Sequence, residues 1–119
     1  MRRAHTDLAA WRESMAMVKL VYDGTRGFPK EEMFGLTSQI RRAAVSVPAN
    51  IAEGAARGSK KEFTQFLIIA RGSLSELETL TEISADIGYL KPDARKALLD
   101  SADQVSKLLS GLLRTLRQG

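Results

Sequence analysis

The chain has no cysteine and a single histidine among its 119 residues. The first absence excludes disulfides, thiolate metal sites and thiol catalysis. The second leaves no histidine cluster for a metal, and a Ser-His-Asp arrangement would have to recruit His5, at the edge of the chain. The Glu-x-x-His motif of di-iron bundles is missing. Glu78 and Glu82 share a helix face, but like charges without histidine are weak metal ligands. With Glu76 and Asp86 they read more simply as a solvated face. No glycine-rich loop follows a strand. These absences predict a non-enzyme without metal or cofactor.

Proline is also scarce, at three residues, and aromatics make up only 6% of the chain. No group of aromatics suggests a platform for stacking bases. No apolar run approaches the roughly 20 residues needed to span a bilayer. The opening MRRAHTDLAAWRE lacks the apolar core of a secretory signal. The expectation is a soluble cytoplasmic protein with no membrane partner.

What is present is aliphatic and alanine-rich, as in all-α chains. The length suits one domain spanning residues 1–119. The net charge is +4, unevenly spread. Residues 1–61 hold 11 Lys/Arg against 6 Asp/Glu, residues 62–90 hold 1 against 5, and residues 91–119 hold 6 against 3. A basic half points to an anionic partner, RNA or DNA first among them, although many small proteins are basic without one.

Four helices can be read off the apolar spacing. Leu8, Trp11, Met15, Val18 and Tyr22 form the first stripe, in a helix starting near Thr6 and Asp7 and ending by Gly24 and Gly27. The second helix is expected to open near Pro29, with Glu31 and Glu32 in its first turn. Its core stripe is Met33, Leu36, Ile40, Ala44, Val47, Ile51 and Ala55. Ser59 to Glu62 reads as a capping box for the third helix. Phe63, Phe66, Ala70, Leu74 and Leu77 face its core, widened by Ile69, Leu80, Ile83 and Ile87. Gly88 is its C′ residue. Pro92 opens the fourth helix, with Leu98, Ala102, Val105, Leu109, Leu112 and Leu116 at heptad spacing. Short turns between these elements predict an up-down-up-down antiparallel four-helix bundle.

Pro48 falls inside the second helix, where it removes an amide donor and crowds the preceding turn. The pattern continues to Ala56, so the expectation is one kinked helix, with a break at Val47 as the alternative. Apolar or small residues cover most of its circumference, Pro48, Ala49, Ala52 and Ala56 among them. A bundle-edge helix needs only one apolar stripe. The excess predicts either a subunit interface, and hence a homo-oligomer, or a helix enclosed by its own chain.

One polar seam remains on that helix: Gln39, Arg42, Ser46, Asn50, Glu53 and Arg57. It is either a solvated face or a fixed network for assembly, with Arg71 of the third helix as a possible member. The basic candidates for phosphate contact are Arg2, Arg3, Arg41, Arg42, Arg57, Lys60 and Lys61, and the last three cluster at one turn. Ordinary surface charge is the competing reading.

FGLTSQIRRAAVSVPANIAEG (residues 34–54), with KEFTQFL (61–67) and ARGSLSELETL (70–80), resembles a known family. It is similar to the small four-helix-bundle proteins encoded in intervening sequences of bacterial large-subunit ribosomal RNA genes. Relatives of that family resemble the accessory variability protein of diversity-generating retroelements. The similarity runs from Trp11 to Leu90. It implies a homopentameric barrel of bundles and binding of RNA or DNA through basic surface residues. The retroelement relatives imply a reverse transcriptase or another protein as partner. The family pattern falls on Gln39, Arg42, Ser46, Pro48, Asn50, Glu53, Gly54, Arg57, Arg71, Gly72 and Ser73, which ties the seam and the small-residue surface to assembly. The leading expectation is a non-catalytic homo-oligomer that binds nucleic acid. The alternative is a protein–protein scaffold or accessory subunit without physiological nucleic-acid binding.

Overall fold

The structure is a computed structural model and describes residues 3–118, which leaves Arg2 outside the described residues. Among these, four α-helices and two short 3-10 turns make up the regular structure: α1 (Ala9–Gly24), α2 (Leu36–Ala55), α3 (Lys60–Asp86) and α4 (Pro92–Gln118). α1 packs on α2 and α4, and α3 packs on the same two, while the diagonal pairs do not approach. The result is a four-cornered bundle of 45 × 24 × 22 Å. Its long axis fits the roughly 40 Å of a 27-residue helix at 1.5 Å per residue.

The core lies on the bundle axis. Met17 and Val21 meet Ile40, Val47 and Ile51, with Leu67, Leu74, Leu77, Leu98, Val105 and Leu109 filling the rest. All of these are at most 2% exposed, so each contributes close to its full transfer free energy of about 1.5–3 kcal/mol.

α1 starts later and faces differently than its spacing suggests. Ala4–Asp7 form a 3-10 turn, and the helix begins at Ala9 behind Leu8, which offers no capping side chain. The buried stripe is Ala10, Ser14, Met17 and Val21. Met15 and Tyr22 are exposed, and Leu8, Trp11 and Val18 lie at the edge of the core. Small Ala10 and Ser14 let neighbouring helices come close, and the buried Ser14 hydroxyl donates to the Trp11 carbonyl at 2.8 Å. That back-bond satisfies a polar group that the sequence suggests should face water.

α2 begins at Leu36, not near Pro29. Pro29 is extended, Lys30–Glu32 make one 3-10 turn, and Met33 is exposed. The Glu32 carboxylate accepts from the Leu36 amide at 3.1 Å, capping the helix from four residues upstream. Beyond that point the expected stripe holds: Ile40, Ala44, Val47 and Ile51 are fully buried. The helix runs unbroken through Pro48, so the alternative of two helices parted at Val47 does not apply.

α3 opens on a capping interaction. The Ser59 hydroxyl accepts from the Glu62 amide at 3.1 Å and donates to the Glu62 carboxylate at 3.2 Å. It ends on a Schellman turn: Tyr89 N–H reaches the Ser84 carbonyl at 2.9 Å and Gly88 N–H reaches Ala85 at 3.1 Å. Gly88 supplies the required φ of +85°. Leu67, Ala70, Leu74, Leu77, Leu80, Thr81 and Ser84 form its buried face. Ile69, Ile83 and Ile87 do not widen it; they are 51%, 43% and 53% exposed. Their places are taken by Thr81 and Ser84, whose hydroxyls donate to Leu77 and Leu80 one turn back.

In α4, Leu98, Ala102, Val105 and Leu109 are buried as the heptad predicts. At the far end Leu113 replaces Leu112 and Leu116, which stand half-buried beside the core. A straight helix turns every 3.6 residues and drifts off a strict 3.5 repeat, and by the last turns the inward position has moved one residue on.

Candidate nucleic-acid interface

α2 carries most of the candidate residues, and its contact with α3 sets their positions. Gly54 is the reason the two helices approach so closely. A Cβ there would stand 2.7 Å from the Phe66 Cβ and 3.0 Å from the Phe63 ring. Further along the same contact, Ser46 and Ser73 share a hydrogen bond of 2.8 Å, and Asn50 Nδ2 donates to the Ser46 hydroxyl and carbonyl at 2.9 and 2.8 Å. As residue numbers fall along α2 from 54 to 46, they rise along α3 from 66 to 73.

Two of the six seam residues thus belong to a fixed network and the other four lie on open surface. Ser46 and Asn50 are half-buried and bonded. Glu53 pairs with Arg57 at 2.9 Å, both exposed. Gln39 and Arg42 face solvent. Arg71 does not join the network: it is exposed, and Ser73 makes the inter-helix bond in its place. Position 73 points toward α2, whereas position 71 lies about 200° away around the helix.

The small-residue surface is not enclosed by the chain. Ala49 and Ala56 are exposed, and Ala52 is half-buried, while Pro48 is buried against the bundle. Val45, at 42% exposure, continues the same stripe at a spacing of 4, 3 and 4 residues. α2 therefore presents an inner face to its own core and an outer apolar face to solvent.

The cations do not form one patch. Arg41 and Arg42 stand near the start of α2, and Arg57, Lys60 and Lys61 stand at the turn into α3. Fifteen residues of helix, about 22 Å, separate Arg42 from Arg57. Arg41 and Arg57 are among those already engaged. The Arg41 guanidinium lies 4.5 Å from the centre of the Tyr22 ring, and its Nε donates to the Thr25 hydroxyl at 2.9 Å. The Arg57 guanidinium lies 5.0 Å from the Phe66 ring centre besides pairing with Glu53. Arg42, Lys60 and Lys61 are exposed. Arg3 is exposed at the start of the described chain, away from both groups in sequence.

One feature is not legible from the sequence. Tyr22, Phe34, Ser38, Gln39, Arg41, Arg42, Val45, Ser46 and Glu76 line an open groove of about 870 Å³. Phe34, in the connection between α1 and α2, is 92% exposed. The groove brings aromatic and basic side chains together although they come from α1, the connection, α2 and α3. Among the described residues no three His, Cys, Asp or Glu stand close enough to hold a metal ion. His5 rests on Trp11, with ring centres 4.8 Å apart. Among the described residues no helix is long and apolar enough to cross a membrane.

This arrangement defines an all-helical four-helix-bundle protein with a polar inter-helix network and an uncovered apolar face. The chain belongs to the 23S rRNA-intervening sequence protein family, whose pattern matches residues 6–111. Its fold is similar to the crystal structure of a protein of unknown function from the S23 ribosomal protein family of Bacteroides thetaiotaomicron VPI-5482. The TM-score is 0.81 at 21% identity, over 88% of this chain and 98% of that one. No curated protein matches the chain.

Proposed function

We propose that this chain is a non-catalytic, cytoplasmic, homo-oligomeric bundle that binds RNA or DNA, with a pentamer as the assembly that the family resemblance implies. One observation carries the reading. The outer face of α2 is apolar and uncovered, and exposed cations stand at both of its ends. A single chain has no use for a second apolar stripe, whereas a ring of copies would bury it. Cations that flank such an interface would be repeated around the ring, and repetition multiplies weak phosphate contacts.

Both halves are testable. Ala52→Glu places a charge in the middle of the outer face. The expected result is a monomer by native mass spectrometry, and a soluble protein of unchanged mass removes the interface from that face. Labelled structured RNA and duplex DNA, titrated across a salt series, report the second half. Affinity should fall steeply with log salt, with a slope set by the number of phosphates contacted, and should survive near physiological salt. Lys60→Glu with Lys61→Glu should weaken it without changing native mass. Binding confined to low salt would leave the scaffold reading, for which the exposed isoleucines of α3 are the natural docking residues.

A further inference from the structure

The groove at the start of α2 has a composition that the phosphate contacts proposed for the opposite end of that helix do not explain. Phe34 is 92% exposed, which leaves a large apolar side chain outside any core. It stands in a connection of the chain that is held in place. The Glu32 carboxylate caps α2 and also accepts from the Tyr89 hydroxyl at 3.3 Å, and Gly35 N–H bonds the Glu32 carbonyl at 3.0 Å. An aromatic ring presented to solvent from a held stretch of backbone is a stacking surface.

The remaining walls supply the other parts of a nucleotide site. Arg42 is exposed at the groove, and its guanidinium is not tied into the bonds that hold Arg41 and Arg57. Arg41 is oriented by Tyr22 and Thr25 through its Nε, which leaves its terminal N–H groups to other acceptors. The exposed Gln39 amide has both donors and an acceptor. Glu76, the one acid on the wall, disfavours a phosphate on the α3 side but can accept from an exocyclic base amine. At about 870 Å³ the groove lies within the range of small-ligand sites.

We propose that this groove binds an unpaired nucleotide of a nucleic-acid strand, with the base stacked on Phe34 and the phosphate held by Arg42 and Arg41. The inference rests on the nucleic-acid reading above and narrows its ligand from any polyanion to single-stranded segments, because a paired base has no free face for the ring.

The test uses the full chain, a short labelled single strand of mixed sequence and the duplex of the same length. Phe34→Leu keeps an apolar side chain and removes the ring. The expected result is a loss of single-strand affinity of about 5- to 150-fold, from the strength of base–aromatic stacking, with duplex affinity and native mass unchanged. Arg42→Glu should lower single-strand affinity further. Ultraviolet cross-linking of the wild-type complex should place the linked peptide at Phe34. Wild-type single-strand affinity in the Phe34→Leu variant overturns the groove, and if Lys60→Glu with Lys61→Glu still weakens binding, the broader reading survives. A changed native mass in Phe34→Leu overturns the proposal as well, since Phe34 is then a subunit contact. No binding of either probe by the wild type near physiological salt overturns both readings.

Discussion

Ser46 and Ser73 meet hydroxyl to hydroxyl at 2.8 Å across the contact between α2 and α3, and the same Ser46 oxygen receives a second bond from Asn50. The two serines are therefore not equivalent. Ser46→Ala breaks both bonds and leaves Asn50 and Ser73 with fewer partners, which should cost about 1–2 kcal/mol. Ser73→Ala breaks one and should cost about 0.5–1 kcal/mol. Urea unfolding of the two variants checks the ordering. Equal losses would mean that the Asn50 bond adds nothing.

Two glycines should respond in opposite ways. Gly54→Ala drives a methyl into the Phe66 Cβ, a backbone-near atom that cannot swing aside, and should cost about 1–3 kcal/mol. Gly72 lies inside α3 with nothing within 4 Å of its Cβ position. Gly72→Ala should stabilise the bundle by about 0.5–1 kcal/mol through helix propensity. Thermal unfolding of the pair distinguishes close packing from a general intolerance of alanine.

The Thr37 hydroxyl is buried without a hydrogen-bond partner among the described residues. A stranded polar group costs about 1–3 kcal/mol, and valine has the same branched shape. Thr37→Val is expected to raise the unfolding midpoint. A lowered midpoint would mean that the hydroxyl holds a water molecule.

Two carboxylates of α3 give opposite pH dependences. The Glu78 carboxyl is held above its ordinary value, first by burial and then by the nearby Asp103 charge. The folded chain takes up that proton before the unfolded chain does. Stability therefore rises as pH falls through the raised value and levels off below the ordinary 4.5. The Glu82 carboxyl is held below its ordinary value, chiefly by its hydrogen bond from Arg95. Its contribution is complete above 4.5 and is lost as pH falls through the lowered value. Glu78→Gln should be more stable than wild type near neutral pH, with the advantage shrinking as pH approaches 4.5. An advantage that stays constant across the titration would assign the gain to packing instead.

Local signals were legible in the sequence and facing was not. The Ser59 cap, the Gly88 terminus and the Pro92 start depend on residues within one turn, and each stands where the spacing puts it. The inward face of α1 depends on what its neighbours accept. Leu8, Trp11, Met15, Val18 and Tyr22 make the better amphipathic stripe, yet the tighter packing comes from Ala10 and Ser14. Ile69, Ile83 and Ile87 misled for the converse reason, since an isoleucine at helical spacing looks internal whether or not its own chain covers it. At the candidate site, the separation of Ser46 and Asn50 from solvent needed the register of α3. The groove needed four segments brought together, and no single window of sequence holds both Phe34 and Glu76.

The close approach at Gly54 also bears on the order in which the chain assembles. Gly54 meets Phe63 and Phe66 across a turn of only a few residues, so α2 and α3 can zip together after closing a very short loop. Contacts that close short loops form early, and helical bundles rich in them fold in microseconds to milliseconds. α1 must instead find α4 from the other end of the sequence. The hairpin that carries the seam, most of the candidate phosphate-contacting cations and the outer apolar face is thus the part of the molecule best placed to form first, as the template on which the two outer helices close.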